Sequence, residues 1–314
     1  MTLYMLRRLL TAFIVAFGVC LLTFLAVNLS PGDTAETITR YSYVFDEEPP
    51  ADAIEASADR YQLNDSLTTQ FVRWMSRVVQ GDFGESYIYN RPVISIVAPK
   101  LVNTLKLGFA SLLIAVGVSL VLGMASAFRP GGIIDRLTGV LSLVLVSVPS
   151  FCLGLGLIIF FSIKLSLLPV SGMDNQHSWV LPTLTLALGM IPSLSQMVRE
   201  SMVNIQNQEY ITMAKTKGLS GTVIAIRHTL RNAAVPIITI IATRAGHILG
   251  GSVVVETVFS WPGVGKLLID SIKAKDIPML QCCVLIIAIG YSLMNLLADL
   301  SYAAVDPRIR GDKI

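Results

Sequence analysis

Six runs of about 20 mainly apolar residues leave this chain few folds to choose from. A helix of that length crosses a hydrocarbon core of roughly 30 Å. The runs lie near residues 9 to 28, 103 to 127, 137 to 163, 180 to 198, 234 to 256 and 279 to 303. Lipid offers no partner to a bare N–H or C=O, so each run reads as a helix. Over 314 residues, 53% are hydrophobic and only 14% charged, which excludes an ordinary soluble domain. The expected fold class is an all-α integral membrane protein of six transmembrane helices.

The first run follows "LYMLRR" and lacks a small-residue cleavage site, so it reads as a retained signal-anchor helix. Cys20, Cys152, Cys282 and Cys283 all fall inside apolar runs, which leaves neither a disulfide framework nor a zinc spacing. Charge then sets the orientation. With the N-terminus inside, the inner segments carry Arg7, Arg8, Arg129, Arg136, Arg199, Lys215, Lys217, Arg227, Arg231, Arg308, Arg310 and Lys313. The two short outer loops carry only Lys164, Lys266, Lys273 and Lys275, so the positive-inside rule places both termini in the cytoplasm.

One long loop, residues 29 to 99, separates the first two runs and falls on the outer side. In "SLTTQFVRWMSRVVQGDFG", Leu67, Phe71, Trp74, Met75 and Val78 recur at helical spacing. Ser66 can cap that helix and Gly81 can end it. Its apolar face is expected on the outer membrane surface or on its own subunit, with docking of a partner as the alternative. "YVFDEEPPADAIEA" reads as a turn and a short helix entered at Pro49 and Pro50, and Asp46, Glu47 and Glu48 as a solvated charge run that could attract a cation. No inverted internal repeat of the kind that marks many secondary transporters is visible. In the last outer loop, "FSWPGVG", Pro262 and Gly263 suit a tight turn. Trp261 and Phe259 suit a membrane-water boundary, either as an anchor or lining an outer gate.

The segment "NQEYITMAKTKGLSGTVIAIRHTLRNAAVP", residues 207 to 236, is too polar for lipid at its start and sits between two spans. Asn207 can cap a short helix, Gly218 can end it in a left-handed turn, and Ser220 can start a second short helix. Placed inside by the charge rule, it presents a projection that another protein can grip. A helix lying on an anionic leaflet is the alternative.

With that segment read, the chain resembles the permease subunits of peptide- and nickel-type ATP-binding-cassette importers, the dipeptide/oligopeptide B-subunit family. "NLSPGD", "GDFGESY", "AKTKGLS" followed by "RHTLRNAAVP", "GGSVVVETVFSWPGVG" and "DPRIR" are similar to family motifs and occur in the family order. The resemblance implies an ABC type I importer permease with an N-terminal anchor helix and outer segment in residues 1–99, a permease domain in 100–305 and a cytoplasmic tail in 306–314, the outer insertion lying between helices 1 and 2. It implies that residues 205–232 form a coupling loop docked on an ATP-hydrolysing subunit, with Glu209, Tyr210, Ala214, Lys217, Gly218, Leu219 and Ser220 at the contact. Ala214 and Gly218 match the second alanine and the glycine of the wider Glu-Ala-Ala motif. Thr212 and Met213 replace its glutamate and first alanine, and the proline comes late, at Pro236. The implied partners are a second permease subunit, two ATP-binding subunits, an outer substrate-binding protein and membrane lipid, with no nucleic acid. The implied location is the bacterial inner membrane. No cofactor is expected in this chain; ATP and Mg belong to the partners, since no G-x-x-x-x-G-K-[ST] loop occurs here.

Charged groups inside spans are costly and default to a protein interior or a wet cavity. Arg244 near mid-span, His247 one turn on and Glu256 near the outer end are therefore candidates for the path, with an internal pair or bound water the favoured reading of Arg244 and capping a loop or meeting a receptor the alternative for Glu256. Asn295 and Asp299, at i and i+4, are expected to bond a neighbouring helix. Lys106 can snorkel. Met173, Asp174 and His177 are the only outer cluster of borderline metal ligands. A self-contained channel or ion-coupled transporter is disfavoured by the docking-type loop, and a membrane-embedded enzyme by the absence of H-E-x-x-H and G-x-S-x-G. Di- and oligopeptides are the expected cargo, nickel or a metal chelate the alternative.

Overall fold

Apolar length decides which segments become helices, and prolines, glycines and capping hydroxyls decide where they stop. The computed structural model describes residues 2–42, 49–173 and 175–305; the side chains of residues 2–9, Ser42, Lys215, Thr222, Ala225, Ile226, Val235, His247, Leu249 and 298–305 fall outside that description. The acidic triplet Asp46, Glu47 and Glu48, Asp174 and the "DPRIR" segment also lie outside the described residues.

Among the described residues, four helices are long and apolar enough to cross a membrane unbroken: α1 (Thr2–Asn28), α5 (Val93–Phe128), α8 (Val180–Gln206) and α13 (Ile277–Val305). The other two expected spans are bent, so six crossings result only if each bent pair counts as one. The run at 137 to 163 divides into α6 (Ile133–Ser147) and α7 (Ser150–Leu157), the latter continuing as a π-helical turn over Ile158–Lys164, and the two arms meet at 102°. Pro149 causes the break. It has no N–H to donate and disfavours helical backbone at the residue before it, and Val148 is extended at φ −99°, ψ 122°.

The run at 234 to 256 becomes α11 (Arg231–Val258), bent by 56° between Pro236–Gly246 and Gly250–Val258, where Gly246, Gly250 and Gly251 cluster. The second short helix expected after Ser220 is not separate. α10 (Gly221–Val223) runs through a π-helical turn at Ile224–Leu230 straight into α11, with Ile224 and Arg231 both helical. Beyond Gly221, "TVIAIRHTLRN" holds neither glycine nor proline, so nothing there stops the helix.

Backbone contacts divide the chain into two units. The first comprises Met1–Leu105 and Pro262–Ser292. It holds α1, α2 (Thr34–Ser42), α3 (Ala51–Arg60), α4 (Leu67–Val79) and α12 (Val264–Lys273), with the N-terminal parts of α5 and α13. Pro50 enters α3 at φ −63°, as expected. The Ser66 hydroxyl accepts from the Thr69 N–H at 3.3 Å, capping α4. Gly81 ends it at φ +82°, with Gly81 N–H on Val78 O (2.9 Å) and Asp82 N–H on Arg77 O (3.0 Å), the paired bonds of a Schellman cap. Phe71 and Trp74 are buried with Cys20, Phe24 and Val27 of α1 and Ile277, Leu280 and Val284 of α13, so α4 lies on its own subunit. Each such ring contributes about 2–3 kcal/mol by leaving water.

α12 was not expected from the sequence. Its Val264, Leu267, Leu268 and Ser271 follow helical spacing, and the Thr104 hydroxyl accepts from the Val264 N–H at 2.9 Å. After it, Lys275 is 8% exposed and donates its ammonium to the carbonyls of Gly32 (2.6 Å) and Pro31 (3.2 Å) in "SPG". Asp276, 1% exposed, caps α13 through the Met279 N–H and accepts from the Ser86 hydroxyl and the Tyr87 N–H. Burial pushes its carboxyl above the usual range, while the Ser86 and backbone bonds oppose the shift.

The second unit comprises Lys106–Trp261 and Leu293–Ile314. α8 packs against α6, α7 and α11. Ala115, Ala187, Ile191 and Leu194 form one core cluster, and Ala127, Val198, Met202, Ala233 and Ile237 another. Small residues set the spacing: a Cβ on Gly123 would meet the Ser195 carbonyl at 2.7 Å.

Candidate functional site

The helix-turn-helix is built by local chemistry. α9 (Glu209–Thr216) starts after Gln208, whose carbonyl accepts from Ile211 and Thr212. Asn207, the expected cap, instead closes α8 at φ −86°, ψ 1°. Gly218 takes φ +78°, and the Leu219 N–H bonds Ala214 O at 3.3 Å, which completes a left-handed cap. Ser220 accepts from the Val223 N–H at 3.4 Å and starts α10.

This element has two faces. Ile211, Ala214 and Ile224 are buried together against Ile205, so Ala214 points into the loop's own core. Tyr210, Met213, Leu219 and Val223 point the other way and are 43, 61, 41 and 40% exposed. Glu209, Lys217, Gly218 and Ser220 are exposed on the same projection.

The path residues expected on α11 separate. Arg244 is half-buried and pairs with no other described residue, His247 has its backbone in α11 and its side chain outside the description, and Glu256 is wholly buried. A Cβ on Gly246 would lie 3.2 Å from Oδ1 of Asn295, so the Asn295 amide rests directly against α11 as polar helix contacts do. Lys106 is exposed. The "FSWPGVG" rings do not project outward: Phe259 is 2% and Trp261 5% exposed, with Phe259 packed on Ile158, Leu181 and Val255. The Trp261 N–H bonds Glu256 O at 2.8 Å. Pro262 O accepts from the Asn103 amide at 3.0 Å, and Gly263 is buried. Among the described residues no group of three or more His, Cys, Asp or Glu side chains is placed to hold a metal.

One cavity escaped the sequence reading. It measures about 480 Å³ and lies between α6 and α8, with a mostly apolar wall that includes Leu143, Val146 and Pro192 and with Thr138, Ser142, Gln196, Asp135 and Arg199 as its polar groups. The Arg199 guanidinium holds Asp135 through Nε and Nη2, the latter at 2.7 Å, and the Gly131 N–H donates to the same carboxylate at 2.8 Å. Asp135, Thr138 and Ser142 fall at i, i+3 and i+7 on one face of α6, a pattern present in the sequence.

Helices of membrane length, two of the expected spans bent and a turn left exposed between α9 and α10, define a class, that of multi-pass α-helical membrane proteins. Residues 119–311 match the family described as the binding-protein-dependent transport system inner membrane component, and the chain belongs to that family: it is a permease subunit of an ABC importer, multi-pass in the inner membrane. It is 38% identical over 309 residues to the glutathione transport system permease protein GsiC of Salmonella paratyphi A and 37% identical to that of Escherichia coli K12, covering 98% of each chain. The fold is shared with the inward-facing methionine ABC transporter MetNI at TM-score 0.57 and 19% identity, over 68% of this chain and 97% of that one. An amino acid ABC transporter with histidines matches at TM-score 0.54 and 17% identity, over 74% and 98%.

Proposed function

We propose that the chain is half of a two-permease pore for small peptides, coupled through α9 and α10 to an ATP-hydrolysing subunit. The observation that carries the coupling is the outward apolar set Tyr210, Met213, Leu219 and Val223 on an element whose other face is already packed. Aromatic and Met side chains projecting in a row beside charged groups suit a cleft on a second protein. Because α10 continues into α11, a push on the turn passes into the span without an intervening loop. Residues 29–99 and the "FSWPGVG" segment face outward, where a substrate-binding protein delivers the solute, and both termini face the cytoplasm. Arg244, half-buried on α11, is proposed for the path, and Glu256, wholly buried, is not.

Glutathione is a tripeptide, and relatives aligned over nearly the whole chain are glutathione permeases; this favours a peptide over nickel. The test is ATP-driven uptake of labelled glutathione by the assembled transporter with its receptor in proteoliposomes. Gly218→Arg is expected to abolish most of that uptake and ATPase recruitment while the chain still inserts. Unchanged recruitment would remove the turn from coupling. Arg244→Leu is expected to leave the complex assembled and lower uptake severalfold; poor assembly would assign the arginine to an internal pair.

A further inference from the structure

We propose that the groove between α6 and α8 holds a carboxylate of the solute in transit, with Arg199 as the contacting group and Asp135 as the residue that positions it. The inference rests on the permease reading above and adds a place where the solute is bound. α6 turns Ile133, Leu137, Val140 and Val144 outward and exposed, and Asp135, Thr138 and Ser142 toward α8. Thr138 and Ser142 are partly exposed and hydrogen-bond no other described residue, so their hydroxyls are open to the groove. A cavity of about 480 Å³ lies in front of them, within the range of roughly 300–1,000 Å³ typical of small-molecule sites.

Arg199 supplies the charge. Its Nε and Nη2 are taken by Asp135, whose carboxylate is further fixed by the Gly131 N–H, so the guanidinium plane is held in one orientation. A guanidinium carries five N–H donors, and the Nη1 edge is left to accept an anion from the cavity. The side chain is 32% exposed, which leaves that edge reachable. Asp135 and nearby Glu200, itself bonded to Gln196 at 2.9 Å, more than offset the single positive charge. A carboxylate is therefore held weakly, as a site along a path requires.

The experiment compares ATP-driven uptake of labelled glutathione and of its diamide by the assembled transporter, each at a concentration saturating the receptor. Arg199→Gln is expected to slow glutathione about tenfold, the loss of one charge-assisted hydrogen bond, and the diamide less than twofold. Arg199→Lys should keep most of the preference, and Asp135→Asn should lose part of it. Equal slowing of both probes, or no slowing of either, with normal assembly overturns the proposal and leaves the pair structural. If Arg199→Gln fails to assemble, Thr138→Val with Ser142→Ala, which preserves shape, should slow glutathione at least twofold; unchanged uptake there overturns it too. Absence of ATP-driven uptake of either probe by the unaltered transporter overturns the peptide reading together with this site.

Discussion

Helices α4 and α9 are made by the same local grammar and put to opposite uses. α4 ends on Gly81 at φ +82° and α9 on Gly218 at φ +78°, each with a left-handed cap. Ser66 before α4 and Ser220 after α9 both cap a helix through the side-chain oxygen. α4, however, buries Phe71 and Trp74 against α1 and α13, whereas among its described side chains α9 buries Ile211 and Ala214 and leaves Tyr210 and Met213 in the open. Capping thus fixes where a helix stops, and the fate of its large apolar side chains separates an element packed within the chain from one whose apolar face stays open.

The largest expected effect is on stability. Trp74→Ala should cost about 3–5 kcal/mol, read as a lower unfolding midpoint in detergent, while Tyr210→Ala with Met213→Ala should stay within about 0.5 kcal/mol. Comparable destabilisation by both would mean that the outer face of α9 is packed after all. Next, the same Tyr210 and Met213 double variant should weaken association with the ATPase subunit about tenfold or more, measured by titrating purified ATPase onto the solubilised permease. A smaller effect compares the two glycines. Gly81→Ala and Gly218→Ala each force a left-handed alanine at about 1–2 kcal/mol, with no neighbour within 4 Å of either Cβ. Their unfolding midpoints should fall alike, but only Gly218→Ala should lower ATPase stimulation by receptor.

The smallest effect concerns pH. The Asp276 carboxyl is raised by burial in the folded chain. Its contribution is therefore fully present below the unfolded value of about 3.9 and is lost as pH rises through the raised folded value. Asp276→Asn should flatten that decline in the unfolding midpoint between acid and neutral pH; an unchanged slope would assign the decline to other groups.

What was legible in the sequence was local. Ser66, Gly81, Gly218 and Ser220 act on neighbours within a turn or two, and their roles follow from residue type and spacing. The apolar spans were legible because length alone selects them. Pro149 was visible but sat inside an unbroken apolar run, where hydropathy averages over a break. α12 hid because its Val264, Leu267, Leu268 and Ser271 occupy a segment too short to span. Asp135 and Arg199 are 64 residues apart, and their pairing depends on how α6 meets α8. Trp261 was read by its amphipathic ring, but packing buries it.

The break between α6 and α7 has a consequence for the bilayer itself. Each arm is 15 residues, Ile133–Ser147 and Ser150–Lys164, or about 22 Å of helix, short of the roughly 30 Å hydrocarbon thickness. At the bend, the last carbonyls of α6 and the first N–H groups of α7 lack helical partners, and acyl chains have nothing to offer them. Wherever this bend meets lipid, water or a neighbouring chain must supply those partners at Val148 and Pro149.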